Sequence, residues 1–392
     1  MQTGGNPRVL IVGGGVGAIE AALALHDLAG DKAEVEICSG RGDFVYRPFA
    51  VGEPYGASRV LRYGLEGLAE HCGAGFRQEN IAAVDPATRL ATSHDGTEIP
   101  YDYLVVACGA RLLWSVPGAV TFWGVADDGE MGEVVTRLRE GRLRRLIFTM
   151  PGGHGWALPA YELALLAATE LERAGIAGTR LTVVTPEDGP LQIFGRRASE
   201  QVAEVLADHG IEVITGTHPV KYEHGALAIV PGEELEADVV VSLPRLEGRR
   251  IAGLPYDASG FIPVDDHSRI AGLSRAFAVG DVTTFPVKQG GIATQQADVA
   301  AETIAAELGG EAEADPLDPI LRGILWTGAK PRYLFGWLGG GHGETSVAGE
   351  RPPWPIDNPS KLIGRYLTPF LARFNGNGNG RHGNPNPRSQ VR

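Results

Sequence analysis

The sequence contains only three cysteines in 392 residues, namely Cys38, Cys72 and Cys108. They form neither a C-x-x-C pair nor a zinc-ligand spacing, which excludes a dithiol motif of that kind and a cysteine zinc site. Scattered cysteines are typical of a reducing cytosol, where most of them are inert core residues. We therefore expect a cytoplasmic protein without a metal site.

The sequence also has no run of about 18 apolar residues, so we expect no membrane-spanning helix. Its first residues, MQTGGNPRVLIVGGG, lack the basic-then-apolar pattern of a signal peptide. The net charge of −13 argues against nucleic acid as the main partner. Residues 320–392 are the exception, because ten Lys and Arg against three Asp and Glu give +7 there and leave −20 for residues 1–319. We expect this basic region to contact something anionic.

Glycine, by contrast, is abundant: its 55 residues are about twice the usual share of roughly 7%. Such an excess indicates tight turns or close approaches of the backbone to a ligand. The chain opens with RVLIVGGGVGAIEAALAL, which predicts a buried strand at Val9–Val12 and a helix from about Gly17. AEVEICS at 33–39 supplies a second strand, and the resulting strand–helix–strand unit predicts an α/β fold.

The turn between this strand and helix matches the dinucleotide-binding fingerprint, with Gly13, Gly15 and Ala18 at its three small positions. The first glycine permits the tight turn, the second lets the backbone approach a pyrophosphate, and the third residue lets helix and strand pack closely. Val16 and Gly17 begin the helix, whose free N–H groups and positive dipole end attract phosphates.

The acidic residue expected at the end of the second strand, where it would bind the ribose hydroxyls, is missing. Its place falls near Ser39, because Glu36 is in mid-strand and Asp43 comes too late. We interpret Ser39 as a weaker ribose ligand, with an ordinary strand-end serine as the alternative.

Two later segments complete the pattern. FAVGDV at 277–282 ends a strand in Gly280 and Asp281, and YLVVACGA at 103–110 ends another in the small turn Ala107, Cys108 and Gly109. In order and spacing the chain resembles the two-dinucleotide-domain flavoproteins over residues 8–308, with Cys108 where they often have threonine. The resemblance implies FAD as cofactor, with the Asp281 carboxylate at the ribityl chain or the pyrophosphate.

Within that superfamily the chain most resembles sulfide:quinone oxidoreductases and type-two NADH dehydrogenases. FVYRPFAVGEP at 44–54, which contains Arg47 and Pro48, resembles their segment that approaches the flavin ring. PVKQGGIATQQADVAAETI at 286–304 is similar to their last FAD-contacting segment. The resemblance implies a flavin ring between these two stretches.

The second of these stretches places Lys288, Gln289 and Gly290 beside the ring. A helix that begins near Gly291 would direct its positive end at the N1–C2=O2 region, which becomes anionic on two-electron reduction. Lys288 would add to that effect. The alternative for Lys288 is a solvated surface lysine.

MPGGHGWALPAYELALLAATEL at 150–171 is the corresponding turn of a second strand–turn–helix unit. In the resembling NADH dehydrogenases this unit carries a regular glycine fingerprint for NADH. Gly153 and Gly155 could begin one here, but Leu158 takes the third place and would crowd helix against strand. Pro159 fits the first helical position, which makes the loop longer than a phosphate turn. We therefore expect a scaffold that binds NAD(P)H poorly, as in the resembling sulfide:quinone enzymes.

Three further residues bear on the reaction. Glu187, in VVTPED, lies about where a ribose-binding acid could sit, although we favour a loop residue. His154 lies in the turn that should face the flavin and is a candidate acid or base, with a loop histidine facing water as the alternative. The cysteine relay of the sulfide enzymes is doubtful, because no cysteine follows Cys108.

These observations predict an FAD-dependent oxidoreductase that passes two electrons from a small reductant to a quinone-like acceptor. Lys288 and His154 are the candidate catalytic residues. The alternatives are an NAD(P)H dehydrogenase and a degenerate flavoprotein that acts as a binding or scaffold module.

SKLIGRYLTPFLARF, residues 360–374, has apolar residues at helical spacing, flanked by Lys361, Arg365 and Arg373. A basic helix with an aromatic-rich face is typical of an interfacial anchor, and the resembling enzymes use such C-terminal helices to draw quinone from the membrane. This would place the protein on the inner face of the cell membrane. The alternatives are a helix that covers the protein's own core and a homodimer contact, and Pro369 is expected to break the helix midway.

The predicted architecture is α/β, with two Rossmann-like dinucleotide-binding domains of three layers and a C-terminal amphipathic region. The FAD-binding domain is discontinuous and comprises residues 1–118 and 245–310. Residues 119–244 form the degenerate NAD(P)-binding-like domain, residues 311–375 the C-terminal region, and residues 376–392 a disordered tail.

Overall fold

The structure is a computed structural model that describes residues 5–124, 129–338, 347–352 and 361–376. It confirms the α/β class, because two parallel five-stranded sheets carry helices on their faces. The predicted disordered tail lies outside the described residues, apart from Gly376. Within the described ranges the helices are α1 (Val16–Ala29), α2 (Leu65–His71), α3 (Gly129–Arg139), α4 (Leu158–Ala174), α5 (Arg196–Asp208), α6 (Gly290–Glu307) and α7 (Leu367–Gly376).

The strands of the N-terminal part are β1 (Arg8–Val12), β2 (Glu34–Cys38), β3 (Asp43–Tyr46), β4 (Leu61–Gly64), β5 (Gly75–Arg77), β6 (Ile81–Asp85), β7 (Leu90–Ser93), β8 (Glu98–Pro100), β9 (Tyr103–Val106) and β10 (Ala110–Leu113). Those of the middle part are β11 (Val120–Thr121), β12 (Arg145–Thr149), β13 (Arg180–Val184), β14 (Ile211–Ile214), β15 (His218–Glu223), β16 (Ala226–Val230), β17 (Leu235–Glu236), β18 (Val239–Ser242) and β19 (Arg245–Gly248). The last strands are β20 (Ala276–Ala278), β21 (Ile320–Leu325), β22 (Arg332–Trp337) and β23 (Val347–Gly349).

The first sheet has the order β20-β9-β1-β2-β5 and is parallel throughout. Val106 of β9 pairs with Val12 of β1 on one side and with Ala278 of β20 on the other. The carboxyl ends of these strands therefore meet at one edge, where doubly wound sheets bind their ligands. In the sequence, strands of the first sheet lie both before and after those of the second sheet, as expected of a discontinuous domain. The exact domain boundaries stay a prediction.

The second sheet has the order β11-β18-β12-β13-β14 and is also parallel. Its central strands are continuous apolar runs, as expected where helices cover both faces. Phe148, Val183 and Val241 are buried in one core with α4, whose Tyr161 and Leu165 are inaccessible to solvent.

The C-terminal region contains an antiparallel sheet, β21-β22-β23, that the sequence pattern did not predict. A Cβ at Gly323 would lie 2.8 Å from the Cζ of Phe194, and one at Gly336 would lie 3.3 Å from the Cα of Phe194. These two glycines therefore let one face of the sheet pack closely on the second domain.

The C-terminal helix is shorter than the predicted 360–374, because α7 begins at Leu367. Pro369 lies in its first turn, where proline is tolerated, and it does not break the helix midway. Leu367 and Leu371 are buried in the core of the first domain, beside α1. This part of the apolar stripe therefore covers the protein's own core, as one of the two alternatives expects, while contact of the segment with a membrane stays a prediction. Within the described ranges, no helix is both long and apolar enough to cross a membrane.

Lys361 does not flank an exposed stripe as predicted, because its side chain is only 5% exposed and is paired with Glu162 of α4. The Lys361 Nζ lies 2.6 Å and 2.8 Å from the two Glu162 carboxylate oxygens and 4.1 Å from the centre of the Trp326 ring. Burial raises the pKa of Glu162 and lowers that of Lys361, while the attraction between them opposes both shifts. This ion pair joins the second domain to the C-terminal segment.

Removal of one partner of this pair should be strongly destabilising, because it leaves the other charge buried and unpaired. We expect Lys361→Met to lower the apparent free energy of unfolding by about 3–5 kcal/mol in a urea titration. The double variant Glu162→Leu, Lys361→Met should recover most of this loss, since apolar side chains can replace a buried ion pair. A single variant as stable as the wild type would show that the contact between the two segments does not depend on the pair.

Candidate cofactor site

The turn after β1 has the geometry that the fingerprint predicts. Gly13 has φ +132°, and a Cβ there would lie 2.3 Å from the carbonyl oxygen of Ala107. Its N–H donates to the carbonyl of Cys38 at 2.8 Å. A Cβ at Gly15, by contrast, would meet no atom within 4 Å. The fold therefore requires Gly13, while Gly15 leaves the space in front of α1 open.

Small residues also set the position of α1. The helix begins at Val16, directly after its N-cap Gly15. A Cβ at Gly17 would lie 3.0 Å from the Cγ2 of Val279, and Ala18 is fully buried. The N-terminal end of α1 is therefore held close to the sheet edge, with its N–H groups directed toward the glycine turn.

The end of β2 offers a hydroxyl where a carboxylate is usual. Ser39 is 8% exposed, and its Oγ accepts the N–H of Arg41 at 3.2 Å. Glu36 is bound to Arg77, whose Nη2 lies 3.1 Å from its Oε1. Ser39 thus stabilises its own turn, and its role as a ribose ligand stays a prediction.

The turn after β9 lies directly against the first glycine turn. Ala107 donates its N–H to the carbonyl of Val12 at 2.8 Å, and Gly109 has φ +68°. Cys108 is half-buried, and burial raises the pKa of its thiol to about 11. The thiol is therefore protonated at neutral pH, which favours a packing role over a nucleophilic one.

Gly280 and Asp281 follow β20 at the same edge. Gly280 has φ +78° and donates its N–H to the Oε1 of Gln296 at 2.7 Å. The Asp281 carboxylate accepts no hydrogen bond from any residue in the described part of the chain. Burial raises its pKa, and the charges of Lys288 and Arg47 oppose that shift. Asp281 is therefore available to a ligand that donates hydrogen bonds.

Arg47 begins a short 3-10 segment, Arg47–Gly52, and Pro48 is its second residue. The Arg47 side chain is exposed, yet enough protein surrounds its guanidinium that burial lowers its pKa. The charge of Asp281 opposes this shift. The structure thus brings together two site residues that are far apart in the sequence.

Sequence reasoning missed two arginines near this group. The charges of Arg41 and Arg249 both contribute to the pKa shift of Arg47, and Arg249 also acts on Cys108. The available signal was the basic dipeptide in LEGRR, directly after β19. These arginines add positive charge near Arg47, which favours the binding of a diphosphate.

Lys288 is 5% exposed, so the alternative of a solvated surface lysine is wrong. Its Nζ donates to the carbonyl of Thr283 and lies 3.9 Å from the centre of the Phe261 ring. Burial lowers the pKa of Lys288 to about 8, against the opposing charges of Asp281 and Asp257. Lys288 therefore changes its charge close to neutral pH.

Gln289 is the N-cap of α6, because its Oε1 accepts the N–H of Ile292 at 3.0 Å. Its Nε2 donates to the carbonyl of Arg322 in β21, also at 3.0 Å. Gly290 is the first residue of the helix, and a Cβ there would lie 2.5 Å from the Cδ1 of Leu362. The beginning of α6 is thus packed against the C-terminal region.

The glycine-rich turn of the second domain is joined to the first domain. Gly155 donates its N–H to the carbonyl of Pro286 at 3.2 Å, and its own carbonyl accepts the N–H of Lys288 at 3.1 Å. α4 begins at Leu158, so Pro159 is its second residue and not its first. The Gly155 N–H of this turn therefore donates to the protein, whereas a phosphate turn would offer such an N–H to a nucleotide.

Glu187 lies in the loop after β13, and its carboxylate is already bound. Its Oε2 accepts the hydroxyl of Tyr161 at 2.6 Å and that of Thr185 at 3.2 Å. Burial raises the pKa of Glu187, and these two hydrogen bonds oppose the shift. The Glu187 carboxylate that a ribose would need is thus already hydrogen-bonded to Tyr161 of α4.

His154 is half-buried, and its ring centre lies 4.9 Å from that of Phe261. Phe261 also contacts the Lys288 ammonium, so both candidate catalytic residues contact the same aromatic ring. His154 is therefore not a histidine that faces only water. Its acid–base role stays a prediction.

The residues present fit FAD. The turns after β1, β9 and β20 meet at one sheet edge, and the charges of Arg47 and Lys288 both act on the Asp281 carboxylate, which accepts no hydrogen bond from the described residues. The N-terminal end of α1 and the arginines would hold the pyrophosphate, and Asp281 would accept from the hydroxyl groups of the cofactor. Lys288 and the beginning of α6 would lie at the flavin end.

Two glycine variants separate folding from cofactor binding. Gly13→Ala should fail to fold stably, because its Cβ meets the Ala107 carbonyl and its φ is unfavourable for alanine. Gly15→Ala should keep the melting temperature of the FAD-free protein but raise the Kd for FAD at least about tenfold, a cost of about 1.4 kcal/mol. Thermal unfolding and FAD fluorescence titration measure the two effects. Unchanged FAD affinity in Gly15→Ala would place the pyrophosphate elsewhere.

The comparisons with known proteins agree with this geometry. The chain matches the family described as pyridine nucleotide-disulphide oxidoreductase over residues 7–302. A sulfide-quinone reductase of Aquifex aeolicus is 25% identical over 298 residues, which cover 71% of this chain and 69% of that protein. An NADH dehydrogenase-like protein of Mycobacterium tuberculosis is 26% identical over 303 residues, with 70% and 72% covered.

Solved structures show the same fold. The sulfide:quinone oxidoreductase of Aquifex aeolicus aligns with a TM-score of 0.75 at 20% identity, over 88% of this chain and 87% of that one. NDH2 from Plasmodium falciparum aligns with a TM-score of 0.65 at 12% identity, over 88% and 92%. The family match confirms FAD as the cofactor. The chain therefore belongs to the pyridine nucleotide-disulphide oxidoreductase family of flavoproteins.

Proposed function

We propose that this flavoprotein passes two electrons from a small reductant to a quinone-like acceptor. The observation that carries the proposal is the Gly155 contact, which uses the second domain's glycine turn to hold the segment before Lys288. That contact favours a direct reductant over NAD(P)H. The named relatives include a sulfide-quinone reductase, and quinone as acceptor is carried over from such enzymes.

The second domain is poorly equipped for NAD(P)H. Its turn has Leu158 in the third small position, and α4 has the cap Ala157 without a side-chain hydrogen bond. Glu187, the nearest acid after β13, is bound to Tyr161 at 2.6 Å. A nucleotide would have to break these contacts before it could use the same groups, so NAD(P)H is the less favoured donor.

The cysteines do not support a sulfide relay. Burial raises the pKa of Cys38 to about 11 and that of Cys72 to about 12, so both are protonated at neutral pH. Cys108 is the last cysteine of the chain and is protonated for the same reason. A thiol needs its thiolate form to accept sulfur. We therefore propose a reductant that reacts without a protein thiol.

When bound, FAD supplies the two-electron chemistry. The role of Lys288 is to hold a positive charge at the flavin end of the site, where the N-terminal dipole of α6 adds to it. His154 contacts the same Phe261 ring as Lys288 and is our candidate to hold a proton for the substrate.

An anaerobic titration of the flavin absorbance tests the function. We expect NADH and NADPH to bleach the flavin slowly, because the second domain has no open phosphate turn. After photoreduction, menadione should reoxidise the flavin rapidly and in a concentration-dependent way. Rapid bleaching by NADH would instead identify an NAD(P)H dehydrogenase. A reduced flavin that neither menadione nor another quinone reoxidises would support the scaffold alternative.

Lys288 should tune the flavin. Lys288→Met removes a positive charge and should make the reduction potential at pH 7 more negative by at least about 30 mV, which is tenfold in a two-electron equilibrium. Because the wild-type ammonium is charged below about pH 8 and loses its proton above it, reduction should take up an extra proton there. The wild-type potential should therefore fall more steeply above pH 8 than that of the variant.

Lys221→Met is the matched control, since Lys221 is exposed and paired with Glu223 on β15. It should leave both the potential and its pH dependence unchanged. Spectroelectrochemistry measures all three proteins. Equal potentials for the wild type and Lys288→Met would rule out Lys288 as a flavin-facing charge.

A further inference from the structure

Arg322 is a cation for which the reaction proposed above gives no role. It lies in β21, is half-buried, and its Nε is shielded from solvent with no hydrogen-bond partner among the described residues. No carboxylate of the described chain acts on its guanidinium, and burial alone lowers its pKa. A shielded donor without a partner costs free energy, so the Nε of this half-buried guanidinium is open to a hydrogen-bond acceptor from a ligand.

The sheet register fixes the side of β21 on which Arg322 lies. Its neighbour Gly323 faces the second domain, because a Cβ there would meet Phe194 at 2.8 Å and Leu158 at 3.4 Å. Successive residues of a strand point to opposite faces, so Arg322 points away from that domain. Directly opposite on β22 is Phe335, which shares its face.

This face is apolar and aromatic around the guanidinium. Ile324, two residues along β21, is 5% exposed, and it pairs with Tyr333 of β22. The rings of Phe335 and Trp337 meet edge to face with centres 4.7 Å apart. An organic ring with one acidic substituent matches this combination of apolar surface and a single cation.

The same strand is fastened to the flavin end of the site. Gln289, the N-cap of α6, donates to the Arg322 carbonyl at 3.0 Å. Gln295, six residues farther along α6, exchanges two hydrogen bonds with the backbone of Ile320 at 2.8 Å each. Arg322 thus lies in the strand that packs on the beginning of α6. Gln289, which binds the Arg322 carbonyl, directly follows Lys288 in the sequence.

We infer that Arg322 binds the acidic group of a planar, ring-containing organic anion, and that this anion is the electron-exchanging partner of the flavin. The guanidinium offers parallel N–H donors that match a carboxylate or sulfonate. The identification of the anion as the redox partner rests on the proposed function. The binding of an anion by Arg322 does not.

Calorimetric titration of the FAD-loaded protein tests this. The probes are anthraquinone-2-sulfonate and the uncharged 2-(hydroxymethyl)anthraquinone, which has the same ring system. The wild type should bind the sulfonate more tightly, and increasing salt should weaken that preference. Arg322→Met should weaken sulfonate binding by about 10- to 100-fold, as expected for loss of a charge-assisted hydrogen bond, and leave the uncharged probe unchanged. Arg322→Lys should restore part of the difference.

Arg332→Met is the matched control, because Arg332 lies on the adjacent strand β22 and is already paired with Glu350 at 2.9 Å. It should bind both probes like the wild type. Arg322→Met should also melt no lower than the wild type, since it removes a half-buried guanidinium whose shielded Nε has no partner among the described residues, whereas a purely structural arginine would lower the melting temperature. If Arg322→Met does not fold, Arg322→Lys and the salt dependence of wild-type binding give the answer.

Three results would overturn the inference: a wild type that does not prefer the sulfonate, an equal loss of both probes in Arg322→Met, or no loss at all. Failure of the proposed function looks different. In that case the sulfonate binds through Arg322, but the photoreduced flavin is not reoxidised by anthraquinone-2-sulfonate or by menadione. Reoxidation by menadione with no effect of Arg322 would keep the function and reject the arginine.

Discussion

The hydrogen bonds of Gly155 to the first domain are the contact on which the rest of the site depends. One N–H and one carbonyl of the second domain's turn hold Pro286 and Lys288, at 3.2 and 3.1 Å. They fix the backbone just before α6, so that the Lys288 side chain lies buried on Phe261 and Gln289 caps the helix. A turn occupied in this way cannot donate the same N–H to a phosphate, because each backbone N–H has one proton to share. The same contact thus holds the backbone of Lys288 and occupies an N–H that a nucleotide phosphate would need.

The first half of the site was predictable because its signals are local. A buried strand, a glycine turn and a helix N-terminus follow one another within residues 8–18, and parallel pairing brings the turns after β9 and β20 to the same edge. The environment of a side chain depends instead on distant parts of the chain. The sequence could not decide whether Lys288 is solvated, because its burial comes from Phe261 and Thr283. Arg249 was missed for the same reason, since a basic pair after a strand is usually a solvated surface.

The C-terminal region shows a second limit of sequence patterns. Helical spacing of apolar residues over 360–374 indicates an amphipathic segment but does not say what covers its apolar face. Here α1 and its neighbours cover Leu367 and Leu371, and Lys361 turns inward to Glu162, 199 residues away in the chain. In the sequence, a lysine beside an apolar stripe looks the same whether the stripe faces a membrane or the protein's own core. Only the partner, contributed by another domain, separates a membrane-facing cation from a buried one.

The side chains of three cations, Lys361, Lys288 and Arg322, differ in what offsets the free-energy cost of their burial. Lys361 has a carboxylate at 2.6 Å, so its charge is neutralised within the protein. Lys288 has no carboxylate within ion-pair distance among the described residues, and its burial lowers its pKa to about 8, because a lysine can give up its proton. Arg322 has neither, because a guanidinium does not deprotonate in a protein and no described carboxylate acts on it. Among the described residues nothing offsets the cost of its burial, which is why we infer an anionic ligand for it.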